Sequence, residues 1–557
     1  MSCSESLRYN SLSLVYLQIF TYEGFNESLL RAPLFTAIPN SIDKQIFELN
    51  ENEEGPVKRY RLESFPFELT LIDDNEDENS EEEKPEPQVI EGTMHVEASI
   101  FFNRTISLTY RMVIDETFCD RMNAIPAKPG KKKEIMIPTG KSRTALSTDE
   151  LIALSALRMG AEHWSCDEED SGSNETKTTT NINIEISKFY LPKFHIDENG
   201  KYLSSDNESA GESLYLGEIQ TRYKKFIFNS QKIDPDQKKK SQSFKILRPE
   251  IDHSTYQGDY TKDLNYVFID VWEDISATGN EFKSMKEEDI IAHINDNHKR
   301  ELIGLMSLYP YEWPYRAEEC FEDVCGSNVA IDIDDLILVN QNICVVFGTY
   351  GLRGAGSATD WTEHLKNRSE FHVSWPEYLL LLEMILAKKY TMIAVSDLYL
   401  KSSLELSSLK STRKLIERNS IDSMKVATIL LKLDAVKYSR YVSHMVMYER
   451  TTKRLGIENV AQRLDDIMQK IDSSLLSISD MRKLQYSSQL NIILGVISAA
   501  SLLGFLFERM EVPFIEAMGF ENASDKAGFV IITVAIVLLL GFIIQVVAMN
   551  IRNNRLK

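Results

Sequence analysis

Leu490–Phe507 reads LNIILGVISAASLLGFLF, and Ala527–Met549 reads AGFVIITVAIVLLLGFIIQVVAM. The first run is 18 residues without a charge. At about 1.5 Å of helical rise per residue it spans roughly 27 Å, close to the thickness of a bilayer's hydrocarbon. The second run is longer, has only Gln545 as a strongly polar residue, and reaches across with tilt. Together they predict a C-terminal two-helix transmembrane hairpin, with spans 490–507 and 527–549. Its linker sets Glu508, Glu511, Glu516, Glu521 and Asp525 against Arg509 and Lys526. Arg482 and Lys483 before the hairpin, and Arg552, Arg555 and Lys557 after it, place both termini in the cytoplasm. In the first span Asn491, Gly495, Ser498, Ser501, Gly504 and Glu508 recur every three or four residues and share one face. Such a stripe either packs against another helix or lines a water-filled path.

Upstream, residues 373–489 predict a helical stalk. Between Pro376 and Gly495 there is no proline and a single glycine, Gly456, while apolar residues recur at helical spacing. Ile457, Val460, Leu464, Ile467, Ile471, Ile478 and Met481 alternate by threes and fours, the rhythm of a seam for a neighbouring helix. Asp465, Asp466, Asp472 and Asp480 lie along the same helix. Carboxylates from adjacent chains can share a divalent cation, because hard cations take oxygen ligands; solvated acids are the simpler reading.

Residues 1–372 predict a cytosolic α/β or α+β sensor domain. Strand-like runs fall at 57–72, at 93–115 with a turn at Asn103–Arg104, and at 182–196, 266–272 and 333–347. Helix-like runs fall at 287–306 and at 147–159, the latter opened by the capping-box pattern Ser147-Thr-Asp-Glu150. Segments 73–87 and 167–181 are too polar to join a core. A length of 557 residues implies two or three domains. The formal charge of −22 argues against direct nucleic-acid binding, which needs a clustered basic surface. Six scattered cysteines without CxxC spacing predict reduced thiols, and the N-terminus lacks the pattern of a signal peptide.

After the strand-like run beginning at Ile343 come Gly348, Gly351, Gly354 and Gly356 with Arg353 among them. Glycines let backbone amides approach a phosphate, and the guanidinium offers a planar donor fork, so this loop is a candidate nucleotide or anion site. It lacks both the Gly-Lys-Ser/Thr ending of a P-loop and the GxGxxG spacing, and a flexible connection to the stalk is the alternative. The basic cluster 131–143, with Lys141 and Arg143, is a second candidate in an otherwise acidic chain. No Ser/His/Asp arrangement, HExxH or kinase signature is present, so an enzyme is not expected, nor a covalent cofactor.

The succession of a cytosolic α/β domain, a long helix continuing into Leu490–Phe507, a short acidic loop, a second apolar span and a basic tail resembles the CorA family of divalent-cation channels. That resemblance implies a homo-oligomer, a pentamer in the family, around a pore lined by the first span, with divalent cations as possible ligands. CorA transporters end that span in Gly-Met-Asn; here the chain reads Gly504-Phe-Leu-Phe-Glu-Arg-Met-Glu511. A large cytosolic domain on a hairpin without that filter is most similar to the CorA-type effectors of type III CRISPR systems. The resemblance implies activation by a nucleotide second messenger of the S-adenosylmethionine-AMP type, permeabilisation of the bacterial inner membrane and antiphage defence. A magnesium transporter and a non-conducting membrane-anchored scaffold are the alternatives.

Overall fold

The computed structural model describes residues 7–9, 11–21, 30, 34–38, 57–73, 88–101, 105–114, 146–157, 184–186, 188–203, 211–230, 263–273, 286–308, 313–332, 335–348, 373, 376–405 and 442–470. Beyond these it describes 473, 476–477, 480, 484, 487–495, 498 and 501. The chain divides into two compact units: residues 1–402 with 422–467, and residues 403–421 with 468–557.

The first unit is organised by a sheet of 12 strands. In chain order the strands of the molecule are β1 (Arg8–Tyr9), β2 (Ser11–Thr21), β3 (Thr36–Ala37), β4 (Val57–Arg61), β5 (Phe65–Asp73), β6 (Gln88–Phe101) and β7 (Thr105–Val113). They continue with β8 (Leu146–Ser147), β9 (Ile184–Ile186), β10 (Phe189–Leu191), β11 (Glu212–Leu214), β12 (Leu264–Glu273), β13 (Asp335–Val339) and β14 (Ile343–Gly348). The sheet runs β11-β10-β5-β6-β7-β2-β12-β14-β13, with β4 also on β6, β3 on β4 and β9 on β5; β1 and β8 form a separate ladder. Neighbours along the main path are antiparallel except β12 and β14, which run parallel. Leu12–Phe20, apolar except for Ser13 and Gln18, is buried throughout and makes β2 a central strand covered on both faces.

Helices of this unit include α1 (Thr148–Ala156), α2 (Leu216–Ser230), α3 (Glu287–Asn297), α4 (Lys299–Ser307), α5 (Pro376–Glu405), which reaches just past the unit's boundary, and α6 (Val442–Arg454). The expected capping box is made: Glu150 N–H donates to Ser147 Oγ at 3.2 Å and Ser147 N–H donates to Glu150 Oε2 at 2.7 Å. Replacing Ser147 by alanine should cost about 1 kcal/mol, read as a lowered denaturation midpoint with an unchanged denaturant slope. The helical run expected over 287–306 is two helices, because the chain leaves helical geometry at His298 (φ −119°, ψ 24°).

The two faces of the sheet differ chemically. On one, Leu14, Tyr16, Met94, Val96, Leu108, Tyr110, Val267 and Val345 join the main hydrophobic core with residues of α1, α2, α3 and α4. On the other, α5 lies across the sheet, with Phe268 against Tyr378 at 6.4 Å between ring centroids. Tyr378–Ala387 of α5 is buried on every side, as expected of a helix apolar all round.

The predicted fold class needs correction. Among the described residues, no helix is long and apolar enough to cross a membrane. A crossing needs about 20 consecutive apolar residues in one helix. Of the first expected span, the continuous described helix is 487–495, which begins with Ser487, Ser488 and Gln489. The span 527–549, with Gly504 and Glu508, lies outside the described residues. The fold class is therefore a mixed α/β sheet with helices on both faces, in place of a sensor domain ending in a transmembrane hairpin. The readings as a membrane protein and an ion channel lose the feature that carried them.

The long helical region is also interrupted. Gly456 has φ +65°, and its N–H donates to Lys453 O at 3.1 Å, closing α6 before a new helix runs over 457–470. Ile457 and Leu464 of the expected seam are buried within the chain itself.

Candidate functional site

The parallel pair defines one end of the sheet. Val271 of β12 lies opposite Phe347 of β14, so both strands finish side by side, at Glu273 and Gly348. On the other flank of β12, Val271 pairs with Leu12 and Glu273 with Ser11 at the start of β2. Ile114, just past β7, donates its N–H to Leu12 O at 3.2 Å. β8 begins at Leu146 and pairs with β1, just before β2. The strand ends that lead into both sequence-predicted anion segments therefore meet at this one end. Gly348 is the last residue of β14, whereas Gly351, Arg353, Gly354, Gly356, Lys141 and Arg143 lie outside the described residues.

A second site, absent from the sequence reading, is built under α5. The register places Arg59, Ser99 and Ser107 in one row across β4, β6 and β7, and Arg61, Glu97 and Thr109 in the next. His95 and Arg111 pair in the row beyond. Alternation points these residues to the face that α5 covers, and Arg59, Glu97, Ser99, Ser107, Thr109 and Arg111 are buried. Arg111 Nη2 meets Glu97 Oε2 at 2.7 Å, and the Arg61 Nε lies 3.6 Å from Glu97 Oε1. From α5, Glu383 accepts hydrogen bonds from Ser99 at Oε2 and from Ser107 at Oε1, both 3.0 Å. Two turns on, Thr391 and Thr105 hydroxyls lie 3.3 Å apart.

Burial pushes the Glu383 carboxyl up to about 7, against the opposing pull of the Arg111 and Arg59 guanidiniums and the two serine hydroxyls. Burial also lowers Arg111, with Glu97 acting in the opposite sense. His95, whose Nδ1 lies 2.9 Å from Ser64 Oγ, is lowered to about 4 by burial and then by Arg111 and Arg61. The arrangement sets the Ser64 hydroxyl against the His95 imidazole. It can hold or release a proton at Glu383, and it ties α5 to two adjacent strands.

A joint connects α5 and α6 to the β13–β14 hairpin. Arg450 Nη1 donates to Ala330 O at 2.6 Å, and Arg454 donates through Nε to Val339 O at 3.0 Å and through Nη2 to Asp323 O at 2.9 Å. Gln341 donates to Arg454 O at 3.2 Å and accepts from Lys389 of α5. Tyr378 and Thr451 hydroxyls lie 3.0 Å apart. Gly326, at φ +71°, makes room for Arg454: a Cβ there would lie 2.5 Å from Nε.

The remaining sequence-predicted residues are not gathered into a site. Asn491, Gly495, Ser498 and Ser501 are helical and exposed. Asp465 and Asp480 are exposed on helical positions, and Asp472 lies outside the described residues. Among the described residues no group of three or more His, Cys, Asp or Glu side chains could hold a metal ion. The network under α5 did leave a sequence signal. Glu383 stands alone in the apolar run YLLLLEMILA, and Thr105, Ser107, Thr109 and Arg111 share one parity in β7. A polar parity ordinarily marks the solvated face of a strand, and here it marks a covered one.

No family model matches the chain, and neither a curated protein nor a solved structure matches it.

Proposed function

We propose that the chain is a ligand-responsive effector. In this reading its sheet receives a nucleotide second messenger of the S-adenosylmethionine-AMP type, and α5 and α6 relay the occupancy in type III CRISPR antiphage defence. The class of effector comes from the resemblance to CorA-type effectors. Reception and relay make up this function, and no bilayer-spanning step enters it.

One observation supports the place of binding: β12 and β14 end side by side, at the sheet end where β7 stops and β8 starts. In sheets with parallel strands, ligands bind outside the carboxyl ends, where loops can present backbone amides. Arg353, Lys141 and Arg143 are the proposed phosphate donors, with Gly348, Gly351, Gly354 and Gly356 giving the backbone close approach. The joint at Arg450 and Arg454 supports the relay, since it links the end of β13 and the turn before β14 to α6 and, through Gln341 and Lys389, to α5.

Isothermal titration of the purified chain with the S-adenosylmethionine-AMP conjugate tests this. Wild type binds and Arg353→Ala binds about 10- to 100-fold more weakly, the loss expected for one charge-assisted phosphate contact. Absence of binding by a folded wild-type chain, or equal binding by the variant, refutes the site.

A further inference from the structure

We propose that the margin of the α5-covered face carries an anion notch, in which Arg61, Ser64 and His95, backed by Arg111, take a phosphate group. Register brings these residues together. Arg61 pairs with Glu97 and Phe65 with Met94, so Leu62, Glu63 and Ser64 stand opposite His95 and Val96, three residues against two. This is a β-bulge joining β4 to β5 along one flank of β6, and bulges re-aim side chains. Leu62 keeps its place in the ladder, donating its N–H to Val96 O at 2.9 Å. Ser64 is turned onto the face of His95, with Oγ 2.9 Å from Nδ1. Arg111 flanks His95 on its other side as the direct cross-strand partner. Glu63 is engaged elsewhere, 3.2 Å from His195 and accepting from the Tyr202 hydroxyl at 2.7 Å.

The charges of the cluster do not cancel. Arg59, Arg61 and Arg111 are set with Glu97 and Glu383, three guanidiniums against two carboxylates. With Glu383 ionised, as the two serine hydroxyls donating to it favour, one positive charge remains; with Glu383 protonated, two remain. After burial itself, what acts on the His95 ring is the charge of Arg111 and Arg61, both cations. A half-buried surplus of one sign costs free energy, and an anion beside it offsets that cost.

The notch is open on one side. Arg111 closes its inner wall at 2% exposure, whereas the Arg61 side chain is 37% exposed. Ser64 and His95 are half-buried, and the next pair outward on the same face, Pro66 and Thr93, is exposed and half-buried. In the tautomer that accepts the Ser64 hydroxyl at Nδ1, His95 carries its hydrogen on Nε2 and can donate it. A guanidinium fork, a ring N–H and a hydroxyl converging from different directions match the tetrahedral oxygens of phosphate better than a planar carboxylate. The notch is built from β4, β5, β6 and β7, and it does not rest on the reading of the sheet end.

The ring signals of His95 in the histidine-labelled full chain, identified by their loss in His95→Gln, read the notch by magnetic resonance. Inorganic phosphate, titrated against chloride at one ionic strength, moves them saturably. Arg61→Gln weakens that response about tenfold, the loss expected for one charge-assisted contact at a part-exposed site, and Ser64→Ala weakens it less. AMP separates the two sources of the group. Tighter binding than inorganic phosphate marks the phosphate of a nucleotide, equal or weaker binding marks free phosphate, and adenosine leaves the ring unmoved. A ring that responds to phosphate no differently than to chloride, or equally to AMP and adenosine, overturns the notch, as does an undiminished response in Arg61→Gln. If Arg61→Gln does not fold, Ser64→Ala decides, and an unchanged phosphate affinity there overturns it.

Discussion

Replacing Arg111 by methionine lowers the folding stability by about 3–5 kcal/mol, the cost of leaving a buried carboxylate without its partner. Arg111 and Glu97 are both almost fully buried and meet at 2.7 Å. Methionine fills much of the arginine's volume, so the loss is electrostatic more than a cavity effect. Glu97 would keep the Arg61 contact at 3.6 Å, from a side chain 37% exposed. Glu383 would lose the first of the two guanidiniums that hold its carboxyl down, and its titration moves further up. Removing both members of the pair behaves differently, because paired desolvation is then avoided. Glu97→Met with Arg111→Met should recover at least half of the single-variant loss, as a coupling energy in a denaturant-unfolding double-mutant cycle. A double variant no more stable than Arg111→Met alone would show that packing, not charge, holds β6 and β7 under α5.

The second large effect concerns pH. His95 is held neutral by burial, which lowers it from 6.5 to about 4. Its folded state binds the proton less tightly than the unfolded chain does. Its contribution is complete above the unfolded value of about 6.5 and is lost as the pH falls to about 4. Glu383 does the reverse across about 4.5 to 7. The two slopes overlap and oppose each other, so in wild type the pair contributes little net pH dependence between about 4.5 and 6.5. His95→Gln, able to keep the contact with Ser64, removes one slope. Relative to wild type it should gain about 2 kcal/mol of stability between pH 7 and pH 4, less than the full shift implies because the ring is partly exposed. Denaturant unfolding at several pH values checks this, and a stability difference independent of pH would refute the buried neutral imidazole.

Several elements were readable from local pattern alone. Ser147-Thr-Asp-Glu150 gave a helix start because a capping box is satisfied within four residues. The strand run at 93–115 resolves into β6 and β7 on either side of Asn103–Arg104 because alternation and a turn are local signals. Of the six cysteines, Cys320, Cys325 and Cys344 are among the described residues and are free thiols there. The single helical run expected over 287–306 missed the break at His298, which carries no glycine or proline to announce it.

The candidate sites were legible in opposite degrees. Gly348 is the last residue of a strand, but the parallel partner on which the proposed binding position rests comes from β12, about 75 residues earlier. The Glu97, Arg111 and Glu383 network was missed because its members are far apart in the chain and each has an ordinary local explanation.

By itself, the sequence determined periodicity: which segments are strands, which are helices, and where caps and turns separate them. Tertiary structure decided coverage. The polar parity of β6 and β7 reads as a wet face in isolation, yet the apolar helix Tyr378–Ala387 needs a surface to bury against and takes that one, with Glu383 matched to the serines beneath. The apolar run at Leu490, read as half of a hairpin, belongs among the described residues to a helix too short for a crossing. Hydropathy counts apolar residues along the chain, whereas burial depends on what each face finds to pack against, and only the assembled sheet and helices supply that.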